Sequence, residues 1–379
     1  MKLLYLTEDY LYSKVHNNLL CNMLDLYSEL TIYVLSPVRH DNSHGIEDMF
    51  RHHERLIEIS QKIDIPIWLY KLDFWAKLRC KIRLIEKYIP IKEIDVIHAA
   101  TLYTEGATAM YLKKKYRIPY LASIRGTDAM FYANKMPHLW MTGINVMRQA
   151  DVLLCVTPAI KDKMLQRWQH FSVRNIIKKA DIVNNGIDKI WLNNLRVEPR
   201  QIGTPVRILY IGRFDKNKNV LRLIESIKKI QKKYDIALTL VGGNGSEHKA
   251  VLRQVSENNN FIEYLGPIYN KQQLLEVVRR CDIFAMVSHS ETFGLVYAEC
   301  LTQGLPILYT KGTGFDKMYV QGKVGYGVCS HSKTSIENGL VCLIEHYMEL
   351  KIEISKIVFD RFSWSNIACC YWSYYNSIG

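Results

Sequence analysis

The feature that most constrains the fold is an alternation that runs through the chain twice. Short apolar, β-branched runs alternate with longer stretches of helical period. LLYLT, LTIYVL, DVIHAA, PYLASI and DVLLCV form the first series of expected strands, and VRILYIG, ALTLVG, FIEYLG, DIFAMVS and PILYT form the second. Between them lie expected helices such as ATAMYLKKKY, AIKDKMLQRW, VLRLIESIKKIQKKY and KQQLLEVVRRC. Strands buried on both faces read as continuous apolar runs, and parallel strands need a helical crossover. The doubled pattern therefore predicts an α/β protein of two doubly wound, Rossmann-like domains. The first spans 1–190 and the second 205–358, with the polar, Asn-rich stretch from Gly186 to Pro205 between them. At 379 residues the chain is long enough for both. Ligands of such sheets bind outside the carboxyl ends of the strands, so a cleft between two facing domains is the expected site.

Composition narrows the partners. Lys and Arg number 50 against 37 Asp and Glu, a formal charge of +13. That excess favours anionic partners such as phosphates, nucleotides or an acidic membrane surface. No recognition motif for nucleic acid appears, so none is expected as a partner. The nine cysteines are scattered, odd in number and without a C-x-x-C, which fits reduced thiols of a cytoplasmic protein. MKLLYLTEDY is expected as a buried strand rather than a leader, and no run of about 20 apolar residues predicts a membrane span. From Phe362 to Gly379 no side chain is charged, so this end is expected as a packing helix.

Two segments carry chemistry. In SHSETFGLVYAECLTQGLP (288–306), an expected strand ends in a polar turn, Glu291 follows, and Glu299 lies inside a helix that starts near Gly294. A helix start offers unpaired N–H groups and a positive dipole end, suited to a diphosphate. The two carboxylates beside it suit sugar and ribose hydroxyls, which donate hydrogen bonds. In YIGRFDKNKNVLRLIESI (210–227), a strand runs to Gly212, and Arg213 and Lys218 follow, two cations able to neutralise a leaving diphosphate. No D-x-D, no Walker loop and no G-x-G-x-x-G opening a helix occurs, and no His/Cys cluster has metal spacing.

G-R-F-x-x-x-K at 212–218, L-V-G-G-N-G at 240–245 and E-T-F-G-L-V-x-x-E at 291–299 resemble the retaining, GT-B-fold glycosyltransferases of family 4. The resemblance spans 206–328 and returns at Phe362-Ser363-Trp364, the start of a closing helix that in the family crosses back onto the N-terminal domain (360–379 here), with Ser363 as its cap. Asn185-Gly186-Ile187-Asp188 and Gly126-Thr127-Asp128 match the family's N-terminal half more loosely.

The resemblance implies a nucleotide-sugar donor held by the second domain. Arg213 and Lys218 would hold the diphosphate, Glu291 the transferred sugar and Glu299 the ribose. Backbone N–H groups of Gly294, Leu295 and Val296 would help cradle sugar and phosphates, with Phe293 beside them on the donor side. Pro267 and Ile268, after Gly266, would contact the base through their backbone, and Gly212, Gly242 and Gly243 would let backbone approach the nucleotide. No metal and no cofactor is expected. Transfer on one face of the sugar would rest on positioning and on charge stabilisation at the leaving phosphate.

Two departures from the family stand out. Arg125 occupies the place of a catalytic His, and the loop after the first strand, EDYLYSKVHNN, has no Gly. Ser13 and His16 in that loop, with Asp128, are expected on the acceptor side. The acceptor would be a glycan or lipid-linked glycan of surface polysaccharide synthesis. From Lys71 to Ile89, Leu72, Trp75, Leu78, Ile82, Ile85 and Ile89 recur at helical spacing, with Lys77, Arg79, Lys81, Arg83 and Lys87 mostly off the stripe. This is either a domain helix with a solvated basic face or a peripheral contact with an anionic membrane. The competing functions are a nucleotide-sugar epimerase on the same fold and a degenerate nucleotide-sugar binder.

Overall fold

Burial on both faces makes the first sheet legible. The computed structural model describes residues 1–37, 50–61, 63, 65, 66, 68, 69 and 73–379. It divides into two units, Met1–Gly186 with Trp364–Gly379, and Ile187–Ser363. In the first unit the chain runs β1 (Lys2–Leu6), α1 (Lys14–Leu26), β2 (Thr31–Leu35), β3 (Leu56–Ile59), α2 (Phe74–Tyr88), β4 (Val96–Ala99), α3 (Thr104–Tyr116), β5 (Tyr120–Ile124), α4 (Trp140–Gln149), β6 (Val152–Cys155), α5 (Pro158–Arg167), α6 (Arg174–Lys179) and β7 (Asp181–Ile182). The sheet order is β3-β2-β1-β4-β5-β6-β7, all parallel, with Leu3 paired to Ile32 on one side and Val96 on the other. The order reverses between β1 and β4, so the carboxyl ends of those two strands flank the switch point.

The C-terminal helix, Trp364–Ile378, completes this unit. Trp364, Ile367, Ala368, Tyr371 and Tyr375 recur every three or four residues and are buried in the same core as Leu20, Leu24 and Ile32. Tyr375 Oη lies 2.6 Å from His98 Nδ1, and His98 Nε2 lies 3.0 Å from Ser123 Oγ, so both ring nitrogens of the buried His98 are paired.

The second unit opens with α7 (Lys189–Asn193) and continues β8 (Val206–Arg213), α8 (Val220–Ile230), β9 (Ile236–Gly243), α9 (His248–Glu257), β10 (Ile262–Tyr264), α10 (Lys271–Arg279), β11 (Ile283–Ala285), α11 (Leu295–Thr302), β12 (Ile307–Thr310), β13 (Gly325–Val328), α12 (Lys333–Glu345) and α13 (Tyr347–Ser355). Its parallel order is β10-β9-β8-β11-β12-β13, with the switch point between β8 and β11.

Several expectations are corrected here. The stretch 191–204 is not a free linker: Trp191 is buried, the Arg196 amide donates to the Thr302 carbonyl at 2.9 Å, and Arg279 and Gln303 both donate to the Asn194 carbonyl. It belongs to the second unit, which starts at Ile187 and ends at Ser363. The helix expected over 220–234 stops at Ile230. The first loop is shorter than EDYLYSKVHNN suggests, because α1 begins at Lys14. Lys71 and Leu72 lie outside the described residues.

The basic helix α2 is also rearranged. Lys81 is turned inward, 2.6 Å from Glu8 Oε1 and 2.9 Å from Glu105 Oε1, and Lys77 lies 3.3 Å from Glu8 Oε2. Thr101 and Thr104 hydroxyls donate to the same Glu105. Burial lowers the Lys77 pKa, with Glu8 opposing. The exposed residues of α2 are Trp75, Arg79, Arg83, Glu86, Lys87 and Tyr88.

Candidate active site

The switch point of the second unit gathers the charged groups. β8 ends in Arg213, whose guanidinium reaches Asp215 Oδ2 through Nε (3.0 Å) and Nη2 (2.6 Å) and is otherwise open, its side chain 74% exposed. Asp215 Oδ1 accepts the Lys218 amide at 3.1 Å, which curls the loop back before α8. Lys218 Nζ then lies 2.5 Å from Glu291 Oε1. Two strands adjacent in space but far apart in sequence thus deliver one cation and one carboxylate to the same point.

Glu291 is held by its backbone rather than its side chain. Its amide donates to Thr313 Oγ1 at 2.7 Å, its carbonyl accepts from that hydroxyl at 2.9 Å, and the Gly314 amide donates to the same carbonyl at 3.0 Å. The two cation- and carboxylate-bearing loops are tied together: the His289 amide donates to the Asn217 carbonyl at 2.7 Å, and Asn217 Nδ2 to the Ser290 carbonyl at 2.9 Å. The carboxylate head remains free to exchange Lys218 for another partner.

Gly294 caps α11 at φ +79°, where a Cβ would sit 2.5 Å from the Tyr297 ring, so the turn needs glycine on two counts. The first-turn amides beyond it, on half-buried Leu295 and Val296, have no intrahelical acceptor. The Phe293 ring is buried against Phe315 and Phe362, 5.9 and 6.0 Å between centroids, so at this turn it has backbone only to offer. Gly242, at φ +122°, pairs with Gly212, and a Cβ there would lie 2.0 Å from the Gly212 carbonyl oxygen. The neighbouring strand therefore already demands this glycine. Gly243 follows at the end of β9; Pro267 is exposed and Ile268 half-buried in the loop after β10.

Glu299, buried on α11, lies 3.4 Å from Lys271 Nζ at the start of α10. Burial pushes its carboxyl up, and Lys271 opposes that. Lys271, Asn217 and Thr313 are site residues that sequence reasoning missed. The Gly-Thr-Gly of 312–314 after an expected strand was the available signal for Thr313; a lone Lys on a helix gives none.

In the first unit the expected residues are placed differently. Ser13 Oγ accepts the Val15 amide at 3.4 Å as the cap of α1. His16 is turned into the core, Nδ1 2.7 Å from Tyr5 Oη and Nε2 3.3 Å from Thr7 Oγ1. Burial, and then Arg125, hold its pKa well below the ordinary value, so the ring is neutral. Asp128 is fully buried and accepts the Arg125 and Tyr103 amides at 2.9 and 3.2 Å. Burial pushes its carboxyl up to about 7 against those donors. Its carboxylate and the His16 ring are occupied inside the unit, which removes the expected acceptor contacts of both side chains. Arg125 donates through Nε to the Ala100 carbonyl at 2.8 Å and stays half-buried.

Among the described residues no group of three or more His, Cys, Asp or Glu side chains is placed to hold a metal ion. No helix among them is long and apolar enough to cross a membrane.

Comparison with known proteins gives the same picture. Residues 193–355 match the family model of glycosyl transferases group 1, and 32–189 that of glycosyltransferase family 4. An uncharacterized glycosyltransferase of Methanocaldococcus jannaschii is 26% identical over 274 residues, 72% of each chain. The alpha-monoglucosyldiacylglycerol synthase of Acholeplasma laidlawii is 24% identical over 322 residues, 78% of this chain and 75% of that one. Among solved structures, sucrose-phosphate synthase from Thermosynechococcus elongatus superposes with a TM-score of 0.73 at 16% identity, over 100% of this chain and 98% of that one. Anabaena HepE in complex with UDP does so with a TM-score of 0.71 at 15% identity, over all of both chains. With both halves matched and the fold shared throughout, the chain belongs to the GT-B glycosyltransferases of group 1 and family 4.

Proposed function

We propose that this glycosyltransferase is a retaining, metal-independent enzyme that moves a sugar from a nucleoside diphosphate sugar to a glycan or lipid-linked glycan of surface polysaccharide synthesis. The observation that carries the reading is the Lys218–Glu291 pair at the β8/β11 switch point, beside the open guanidinium of Arg213 and the first turn of α11. An incoming diphosphate offers Lys218 a second anion. Lys218 and Arg213 turn to the phosphates, where α11's first-turn amides add further donors, and Glu291 is freed to accept hydrogen bonds from sugar hydroxyls. As the sugar–phosphate bond breaks, negative charge grows on the leaving diphosphate beside two fixed cations, the main source of rate in this scheme. Arg125 has a catalytic role, in the place of the His that in the family lies near the donor sugar. Uridine is the first base to test, since HepE is a relative of known fold that binds UDP.

The test is a melting series with UDP, GDP, ADP and CMP in EDTA, then with magnesium. A ligand at one hundred times Kd stabilises the native state by about 2.7 kcal/mol. A clear upward shift with one nucleoside diphosphate in EDTA is expected. No shift with any of the four removes the donor-site reading.

The glycolipid synthase relative supports a lipid-linked acceptor, and the proposed setting is the cytoplasmic face of a membrane. The contact surface is the exposed side of α2, where Trp75, 49% exposed, is followed at four-residue steps by Arg79, Arg83 and Lys87. Changing these three cations to Glu is expected to release the protein from vesicles containing phosphatidylglycerol without lowering its melting temperature. A wild type that never binds such vesicles removes the membrane contact.

A further inference from the structure

A cation at the switch point of the first unit is set without an acid of its own. Arg125 directly follows β5, and its Nε donates at 2.8 Å to the carbonyl of Ala100, one residue past β4. The Ala100 amide in turn donates to the Leu6 carbonyl at the end of β1, at 3.0 Å. The guanidinium is thus fastened where the carboxyl ends of β1, β4 and β5 meet, the place at which a doubly wound sheet takes its ligand. The residue is half-buried, and among the described residues no carboxylate stands within ion-pair distance of it.

The acids of that region are engaged elsewhere. Asp128 accepts the backbone amides of Arg125 and Tyr103. Glu105 takes Lys81 and the hydroxyls of Thr101 and Thr104, and Glu8 takes Lys77 and Lys81. The imidazoles of His16 and His98 are neutral, since burial and then Arg125 hold both well below the ordinary range. A charge drawn partly out of water among neutral groups is costly unless something pairs with it.

The chemistry of the partner follows from the donor. A guanidinium is always charged, and with Nε on a carbonyl its Nη pair is the side that can grip two oxygens of a phosphate or carboxylate. A neutral His, the residue of the resembled family at this place, offers one hydrogen bond and no charge. The diphosphate of the sugar donor has its own cations, Arg213 and Lys218, on the second unit. The anion that pairs with the first unit therefore belongs to the other substrate.

We propose that Arg125 is a specificity-determining residue of the transfer: it selects an acceptor that carries an anionic group, a phosphate or a carboxylate. The inference rests on the glycosyl transfer proposed above and names the charge of its acceptor.

The test titrates glucose 6-phosphate, glucuronate and glucose by calorimetry into the full chain with UDP at saturation. At least one of the two anionic sugars is expected to bind about 10- to 100-fold tighter than glucose, the range of charge-assisted hydrogen bonds. Which of the two does so tells phosphate from carboxylate. Arg125→Gln keeps an amide donor for the Ala100 carbonyl and removes the charge; it is expected to bring all three sugars to within about threefold of one another. Arg125→Lys restores the charge and is expected to recover part of the preference. Equal binding of the three sugars by wild type overturns the proposal, and so does a preference that survives in Arg125→Gln. A loss of about 10-fold or more in UDP affinity in Arg125→Gln places the guanidinium on the donor diphosphate and overturns it as well. The same titrations without UDP, in a chain carrying Arg213→Met and Lys218→Met, report on Arg125 whether or not UDP binds. A wild type that binds no UDP removes the donor-site reading instead.

Discussion

Glu291→Gln is expected to lower kcat for sugar transfer by about 100-fold or more while nucleoside diphosphate binding holds or tightens. The two effects separate because Glu291 has two partners at different stages. In the free protein it neutralises Lys218 at 2.5 Å; in the proposed reacting complex it would accept hydrogen bonds from the sugar. The amide keeps the shape and loses the charge, so Lys218 no longer has to leave a carboxylate to reach the diphosphate. The sugar hydroxyls lose a charged acceptor, worth about 1.5–3 kcal/mol, and a misplaced sugar loses alignment with the leaving group as well. The backbone clamp from Thr313 and Gly314 is untouched, so the fold is expected to persist. Steady-state kinetics with calorimetry on the same variant checks both halves. Near-normal turnover would remove the role given to Glu291. Weakened diphosphate binding would mean that the ion pair orders Lys218 for the ligand rather than competing with it.

The second large effect is on stability and lies far from that chemistry. Lys81→Ala is expected to destabilise the first unit by about 3–5 kcal/mol, because it leaves Glu8 and Glu105 facing each other without the buried cation between them. Arg79→Ala, two residues earlier on the same helix but exposed, should change stability by no more than about 0.5 kcal/mol. Guanidinium unfolding followed by tryptophan fluorescence reads both, on the transition that belongs to the first unit. Equal effects of the two substitutions would contradict the inward placement of Lys81.

That contrast shows where a sequence pattern stops being informative. Lys77, Arg79, Lys81, Arg83 and Lys87 read as one basic face. Lys77 and Lys81 turn inward because Glu8 and Glu105, 69 or more residues and 24 or more residues away along the chain, meet them. Nothing local to α2 announces those partners. His16 and Asp128 are turned inward too. A polar residue after a strand reads as site-facing, but His16 points at Tyr5, and Asp128 at the amides of Arg125, 3 residues before it, and of Tyr103, 25 residues away.

The strands missed in the sequence share a place in the sheets. β3, β7 and β13 are all edge strands. β7 is two exposed residues, β3 is half solvent-facing, and β13 carries Gly325 and Gly327. β3 and β7 are not packed on both faces and lack the apolar run that marks the central strands, whereas β13 is mostly buried and is hidden by its glycines.

The sequence by itself determined the two parallel sheets and the family, and it named the motif residues expected on the donor side. These are written in local patterns: apolar runs long enough to bury, and charged residues at fixed distances from a strand end. Tertiary structure alone decided which partner each charge meets. Lys218 finds Glu291 across 73 residues, Lys271 finds Glu299 across 28, and the helix that bears Trp191 packs on the helices of that second pair from a stretch that reads as linker. Sequence spacing fixes which residues share an element, but an ion pair forms wherever two elements pack, and the packing of these helices against one another is set by the whole core of the unit.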